Sequence, residues 1–511
     1  MKKLLILLFV VLLLPPFLPA SAEVYRDTYE LEGFDSPEAA VIYFLNGLKN
    51  LDFEQMLDAY AWETRISRYS MDIQFWYNRT FGDNPWFPGA DPFIRRINLE
   101  SFREDEAKFI HTSLDRFLLY GEQNSTDPIK LQDEKAIREY MDRFDSGRLE
   151  ALKELSNIRF LSPDDLFEGG FFTERRQDKM YREQLLNGAD EIRYLPTVAD
   201  VGTEKLFPAP ALVRYGSRWY ILTLDSQVMG QVVTKNNLPA SGFVCFSALP
   251  FSDVLAWKPE GEISTPAVQG TVRYEGDGFD SPEDAVTAYL EGLRDLDPGR
   301  MLRAFAWETL AEHFDVAAYL DYAGFAISGR DDVLPEISAL TVRSNLHALR
   351  ENQLGYIYLS VERYLVPDYV PPKYGSSVPR IKDDEELESL LRRFQGQPLA
   401  EFSKLEHIRF ISLVDALNGQ YSIEQIRDWS AKAHAVYGAD EVRDIVAVAD
   451  LRSMHLLVAP TVARYGEKWY IVDLDGMTGR LIGQTGYATY AYANYGKGFA
   501  LGEDFPLSSV R

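Results

Sequence analysis

Apolar residues at Ala40, Val41, Phe44, Leu45 and Leu48 recur three and four positions apart, the spacing of one face of a helix. Ser36 stands before them as an N-cap, with Pro37 at the first helical position. Asp52 predicts the cap of a second helix, completed by Gln55 in a capping box, with Met56, Leu57, Tyr60 and Ala61 on its apolar side. Further on the period changes to two. Ile110, Thr112, Leu114, Arg116 and Leu118 alternate with their neighbours, as do Ile357, Leu359, Val361, Arg363 and Leu365, which predicts strands. An earlier alternation over 340–346 and a polar turn at 350–353 predict a hairpin. Helical spacing returns at Ile137, Tyr140, Met141 and Phe144, and another helix is expected around 172–186. Three strands follow, at about 190–201, 208–215 and 218–225, the last two joined by the turn Tyr215-Gly216-Ser217-Arg218.

The pattern occurs twice. Over 33–64 against 278–309, 20 of 32 residues are identical, and over 188–225 against 438–475, 19 of 38. A repeat unit of this size is a duplicated domain, since solenoid repeats are only 20–45 residues long. The expected organisation is a leader at 1–22, a first repeat domain at 23–258, a linker rich in Pro, Gly, Glu and Thr at 259–277, and a second repeat domain at 278–511. Each copy carries its own helical face and strand meander, so each is expected to fold alone.

The Ser-Pro-Glu-x-Ala-Val helix, the helix that follows it and the closing Arg-Tyr-Gly-x-x-Trp-Tyr-Ile hairpin resemble the nuclear-transport-factor-2-like superfamily. The resemblance covers about half of each copy. It implies an α+β fold with two tandem cone-like domains, helices packed on a curved antiparallel sheet. Material around 65–95 and 130–187 adds helical insertions. Relatives such as ketosteroid isomerase and the SnoaL-type polyketide cyclases imply a pocket in which an Asp acts as a general base.

Lys2-Lys3, an apolar run from Leu4 to Leu14 and Ala20-Ser21-Ala22 predict a cleavable signal peptide, and hence export to the periplasm, cell surface or medium. Cys245 is the single cysteine, so no intrachain disulfide forms, and an exported chain this poor in cysteine is expected to be bacterial. The net charge of −25 becomes −27 once Lys2 and Lys3 are removed. A chain this acidic repels phosphate backbones and anionic lipid, so nucleic acid is excluded as a partner. No second long apolar run predicts a membrane span in the mature chain.

Catalytic signatures are sparse. The six histidines show no metal-ligand spacing and none recurs at a matched position of the repeat, so no metal or cofactor is expected. The candidates for a pocket are polar residues present in both copies, Glu63 and Glu308, Asp190 and Asp440, and Arg214 and Arg464. The alternative for them is cross-strand pairing and capping. Copy one alone carries an aromatic stretch with Trp76, Tyr77, Trp86 and Phe87, read as a Pro/Gly loop that binds a partner or packs onto its own domain. The expected function is an exported non-catalytic binding protein whose partner is a protein, a glycan or a small molecule. The alternatives are a small-molecule isomerase, cyclase or hydrolase using the cone pocket, and a structural envelope component.

Overall fold

The computed structural model describes residues 28–78, 91–119, 134–144, 146–167, 170–236, 242–247, 256–259, 261, 263–267, 272–321, 333–365, 383–393, 399–411, 422–451, 454–474, 476 and 493–494. The leader, Trp86 and Phe87 fall outside them, as do residues 260, 262 and 268–271 of the linker.

The protein is α+β, with antiparallel sheets and helices laid against them. The first half opens with helices Pro37–Asn50, Phe53–Leu57, Trp62–Arg68 and Met71–Asn78, followed by the long helix Pro92–Leu118. Its strands are β1 (Ser156–Phe160), β2 (Glu191–Tyr194), β3 (Thr197–Val201), β4 (Glu204–Pro208), β5 (Ala211–Tyr215), β6 (Arg218–Thr223) and β7 (Phe243–Phe246). They form two sheets, ordered β1-β3-β4-β7 and β2-β5-β6. The second half runs in the same order, from Pro282–Arg294 through Pro298–Leu302 and Trp307–His313 to the long helix Ala339–Leu365. Its strands are β8 (Leu405–Ile411), β9 (Glu441–Asp444), β10 (Val446–Leu451), β11 (Met454–Val458), β12 (Thr461–Tyr465), β13 (Lys468–Asp473) and β14 (Ala493–Asn494).

The strand expected over 190–201 is broken at Leu195-Pro196 into β2 and β3, and its neighbour is broken at Ala209-Pro210. Proline cannot donate to a ladder. The chain bends there while Leu195 N–H bonds the Pro210 carbonyl at 3.1 Å and Leu161 N–H bonds the Pro196 carbonyl at 2.8 Å. One bent surface thus becomes two sheets.

The opening motif is explained by packing. Ser36 Oγ accepts from Ala39 N at 3.1 Å, and Phe34 exchanges both backbone hydrogen bonds with Trp219. Gly33, at φ +79°, lies so close to Tyr220 that a Cβ would sit 2.5 Å from its ring, so no other residue fits. Gly278 meets Tyr470 the same way. Asp52 does cap its helix, but Gln55 does not close a box. Its Nε2 donates to Tyr43 O at 3.3 Å, and the Asp52 N–H bonds Gly47 O at 2.8 Å instead.

The largest departure from expectation lies at 92–118 and 339–365. Neither segment is a strand or a hairpin. Each is one helix of 27 residues. Both are enclosed on nearly all sides, so polar residues such as Glu100, Arg103, Glu104, His347 and Arg350 are as buried as the apolar ones. A helix without a wet face carries no 3.6-residue stripe, and what alternation remains is accidental. The two helices pack on each other, and one apolar core runs through both halves, from Phe44 and Trp62 to Tyr289 and Trp307. Smaller cores around Phe207 and Val436 belong to one half each.

Candidate functional site

The structure gathers its densest cluster of ionisable side chains between the two long helices. Asp91 caps the first by accepting from Phe93 N at 2.9 Å, with Pro92 at the first position. The helices run in opposite senses, so that His111 meets Ser344, Glu104 meets His347 and Glu100 meets Arg350.

Glu54, from the short helix Phe53–Leu57, is the hub. Its Oε1 accepts from Arg343 Nε at 2.8 Å and faces His347 Nε2 at 2.9 Å. Its Oε2 accepts from Arg103 at 2.7 Å and from the Tyr274 hydroxyl at 2.8 Å. Glu104 accepts from Arg350 Nε at 2.9 Å and faces His347 Nδ1 at 2.5 Å. Glu100 binds Arg350 at 2.7 Å, Arg96 at 2.6 Å and the Tyr29 hydroxyl at 3.0 Å. Tyr29 and Tyr274 face each other with ring centroids 6.3 Å apart, and Arg103 lies over both rings at 4.5 and 5.2 Å. Phe53 stacks on the His347 ring at 4.8 Å.

The electrostatics follow from these distances. Burial alone would raise the Glu54 carboxyl, but Arg343, Arg103 and His347 outweigh it and hold it well below the usual carboxylate range. Glu104, against the same burial, is held down to about 2 by His347 and Arg350. Burial and the Glu100 charge push the Tyr29 hydroxyl far above its ordinary value. His347 presents one ring nitrogen to each of two carboxylates. These are the groups of an acid–base site, yet Arg103, Glu104, His347 and Arg350 are 0 or 1% exposed. They neutralise one another across the joint between the halves. Breaking such a pair leaves a bare charge in the interior, which is strongly destabilising.

The matched positions of the two helices explain its layout. In the repeat, Arg96, Asn98, Arg103 and Glu104 correspond in sequence to Arg343, Asn345, Arg350 and Glu351. Glu100 corresponds to His347, and Glu54 to Gly299. Two acids that would meet their own kind in a symmetric joint are thus matched by a histidine and a glycine.

The polar residues singled out in the sequence lie elsewhere or at the rim. Glu63 Oε1 accepts from Tyr29 N at 2.6 Å. Glu308 accepts from Tyr274 N and Glu275 N at 2.8 and 2.9 Å, and from Arg343 at 3.3 Å, so it borders the cluster. Asp190 and Arg214 meet at the β5–β6 turn. Asp190 accepts from Gly216 N at 2.5 Å, and Arg214 donates to Gly216 O at 2.6 Å and to Glu191 at 3.1 Å. Asp440 and Arg464 do the same at Gly466, with Arg464 reaching Glu441 at 3.4 Å. Trp76 and Tyr77 are not in a loop but on the helix Met71–Asn78, whose backbone continues through them. Trp86 and Phe87 lie outside the described residues.

Glu54, Glu100, Arg103, Glu104, His347 and Arg350 were missed. A signal was present, the charged residues at matched places in both 27-residue segments, but it was masked by reading those segments as strands. Cys245 lies in β7, where burial pushes its thiol up to about 12, the opposite of an activated nucleophile. Among the described residues no group of three His, Cys, Asp or Glu side chains is placed to hold a metal ion, and no helix is long and apolar enough to cross a membrane.

The sequence matches no known family profile and no curated protein. Among solved structures it is similar to a cystatin-like protein from Ruminococcus gnavus ATCC 29149, at 12% identity and a TM-score of 0.48, over 90% of this chain and 93% of that one. A likeness at that level says nothing of function.

Proposed function

We propose that this is an exported, non-catalytic binding protein built from two cone-like domains of the nuclear-transport-factor-2-like kind, joined into one body. The observation that carries the reading is how the charged groups are used. The densest set of acids and bases is sealed between the halves and neutralised internally. The polar residues common to both copies fasten turns and lead-in segments. Acids and bases used in this way favour the reading of a binding surface over that of an acid–base site. The aromatic run Phe75-Trp76-Tyr77, at the end of its helix in the first half only, is the contact we assign to it. The acidity of the chain favours neutral glycans and cationic proteins as partners.

The test is binding to a panel of neutral envelope glycans and cationic proteins by the wild type and a Trp76→Ala, Trp86→Ala double variant shown to be folded. Loss of binding in the variant is expected. Equal binding would remove the aromatic run from the reading. Turnover of a small molecule that disappears on changing Asp190 or Asp440 would favour an isomerase, cyclase or hydrolase instead.

A further inference from the structure

Residue-for-residue matching of the long helices puts Glu106 of the first half opposite Gln353 of the second. Gln353 Oε1 accepts from Leu474 N at 2.8 Å, and its Nε2 donates to Asp473 Oδ1 at 3.2 Å. Glu106 faces the corresponding groups, the Leu224 amide and the Thr223 hydroxyl. Each half therefore keeps one carboxyl where the long helix meets the last strand of the hairpin. In the second half it stands on the strand, and in the first on the helix.

Two more exchanges accompany this one. Phe305 and Leu310 of the second half are Tyr60 and Arg65 in the first. Arg65 NH1 lies 3.9 Å from Glu106 Oε1, but its hydrogen bonds go to Asn187 Oδ1 at 2.7 Å and Leu222 O at 2.8 Å. Its guanidinium sits 3.6 Å above the Phe102 ring. Glu106 Oε2 and the Tyr60 hydroxyl are buried and have no hydrogen-bond partner among the described residues. A buried carboxylate oxygen without a donor is costly, whereas a neutral carboxyl tolerates the place.

We propose that Glu106 is a proton-binding group, carried neutral where the inter-half helix meets the first half's sheet, and that ionising it in that buried place destabilises the folded chain. The groups facing it are Arg65 from the helix Trp62–Arg68, Tyr60 from the segment before it, Thr223 and Leu224 at the end of β6, and Asp105 on its own helix. Burial pushes the carboxyl up to about 8, against the opposing pull of Arg65. Glu106 lies within one helical turn of Arg103 and Glu104.

The sign follows from linkage. A carboxyl raised on folding binds a proton in the folded state that the unfolded chain releases. Its contribution is complete below the ordinary value of 4.5 and is lost as pH rises through about 8. The experiment is chemical unfolding of the full chain from pH 5 to 9, for wild type, Glu106→Gln, and Glu106→Gln with Thr223→Asp, which copies the second half. In wild type this proton changes the folding equilibrium by up to about tenfold per pH unit. Both variants are expected to lose that increment, so that they converge on wild type near pH 5 and exceed it at pH 9. The steps contributed by other carboxyls, Glu275 among them, remain in all three proteins. Parallel profiles for wild type and Glu106→Gln would overturn the proposal and leave Glu106 a fixed hydrogen-bonding residue. A wild-type profile flat from pH 5 to 8 would overturn it without any variant.

Discussion

His347 Nδ1 lies 2.5 Å from Glu104 Oε2, between residues 243 apart in the chain, while its Nε2 lies 2.9 Å from Glu54. One side chain of the second half thus links two helices of the first. Replacing Arg350 or His347 with an apolar residue strands the carboxylates they neutralise. Each single change is expected to cost roughly 3–5 kcal/mol in guanidinium unfolding. Replacing Glu104, His347 and Arg350 together by apolar residues of similar volume is expected to cost less than the sum of the single changes, because Glu104 is no longer there to be stranded, while Glu54 keeps Arg103 and Arg343 and Glu100 keeps Arg96. A strictly additive triple variant would show that the three do not act as a unit.

The shared core changes what is expected of a separated half. A chain of 276–511 alone keeps Arg343, His347 and Arg350 but lacks Glu54, Glu100 and Glu104. It also exposes the face of the helix Ala339–Leu365 that packs on its partner. It is expected to unfold without a cooperative transition or to aggregate, and to regain a sharp transition when mixed with the first half. Circular dichroism melts of each half and of the mixture check this. A cooperative melt of 276–511 alone would mean that its core suffices.

Trp219 and Trp469 are 6 and 5% exposed and pair with Phe34 and Phe279 across the first contact of each half. Each also lies beneath an arginine, Arg193 at 4.9 Å and Arg443 at 5.0 Å. Replacement of either tryptophan by alanine is expected to cost roughly 3–5 kcal/mol in denaturant unfolding. A cost below about 1 kcal/mol at both would place the core on another face.

Stability is expected to peak near pH 5. Glu104 has its folded-state value lowered to about 2. Its contribution is present above the ordinary 4.5 and is lost as pH falls toward 2. Glu275 is raised by burial to about 7, although Thr309 donates to it twice. Its contribution is complete below 4.5 and is lost as pH rises through about 7. Unfolding free energies measured from pH 2 to 9 check both limbs. A steady rise from pH 5 to 8 would contradict the assignment of Glu275.

Local signals were legible wherever one residue decides a local geometry. Ser36 and Ser281 cap their helices, and Gly216 and Gly466 turn the hairpins, because each outcome depends on a few neighbouring atoms. The α+β class followed from the meander and the first helices for the same reason. Segments 92–118 and 339–365 could not be read this way. Their helical stripe is erased because each is enclosed by its own half and by the other, and which charges are buried depends on partners more than 200 residues away. Glu54 looks like any acid in the first turn of a short helix. Only the packing of one long helix across the other turns it into the point where both halves meet, since Arg103, Tyr274, Arg343 and His347 converge on it from different parts of the chain.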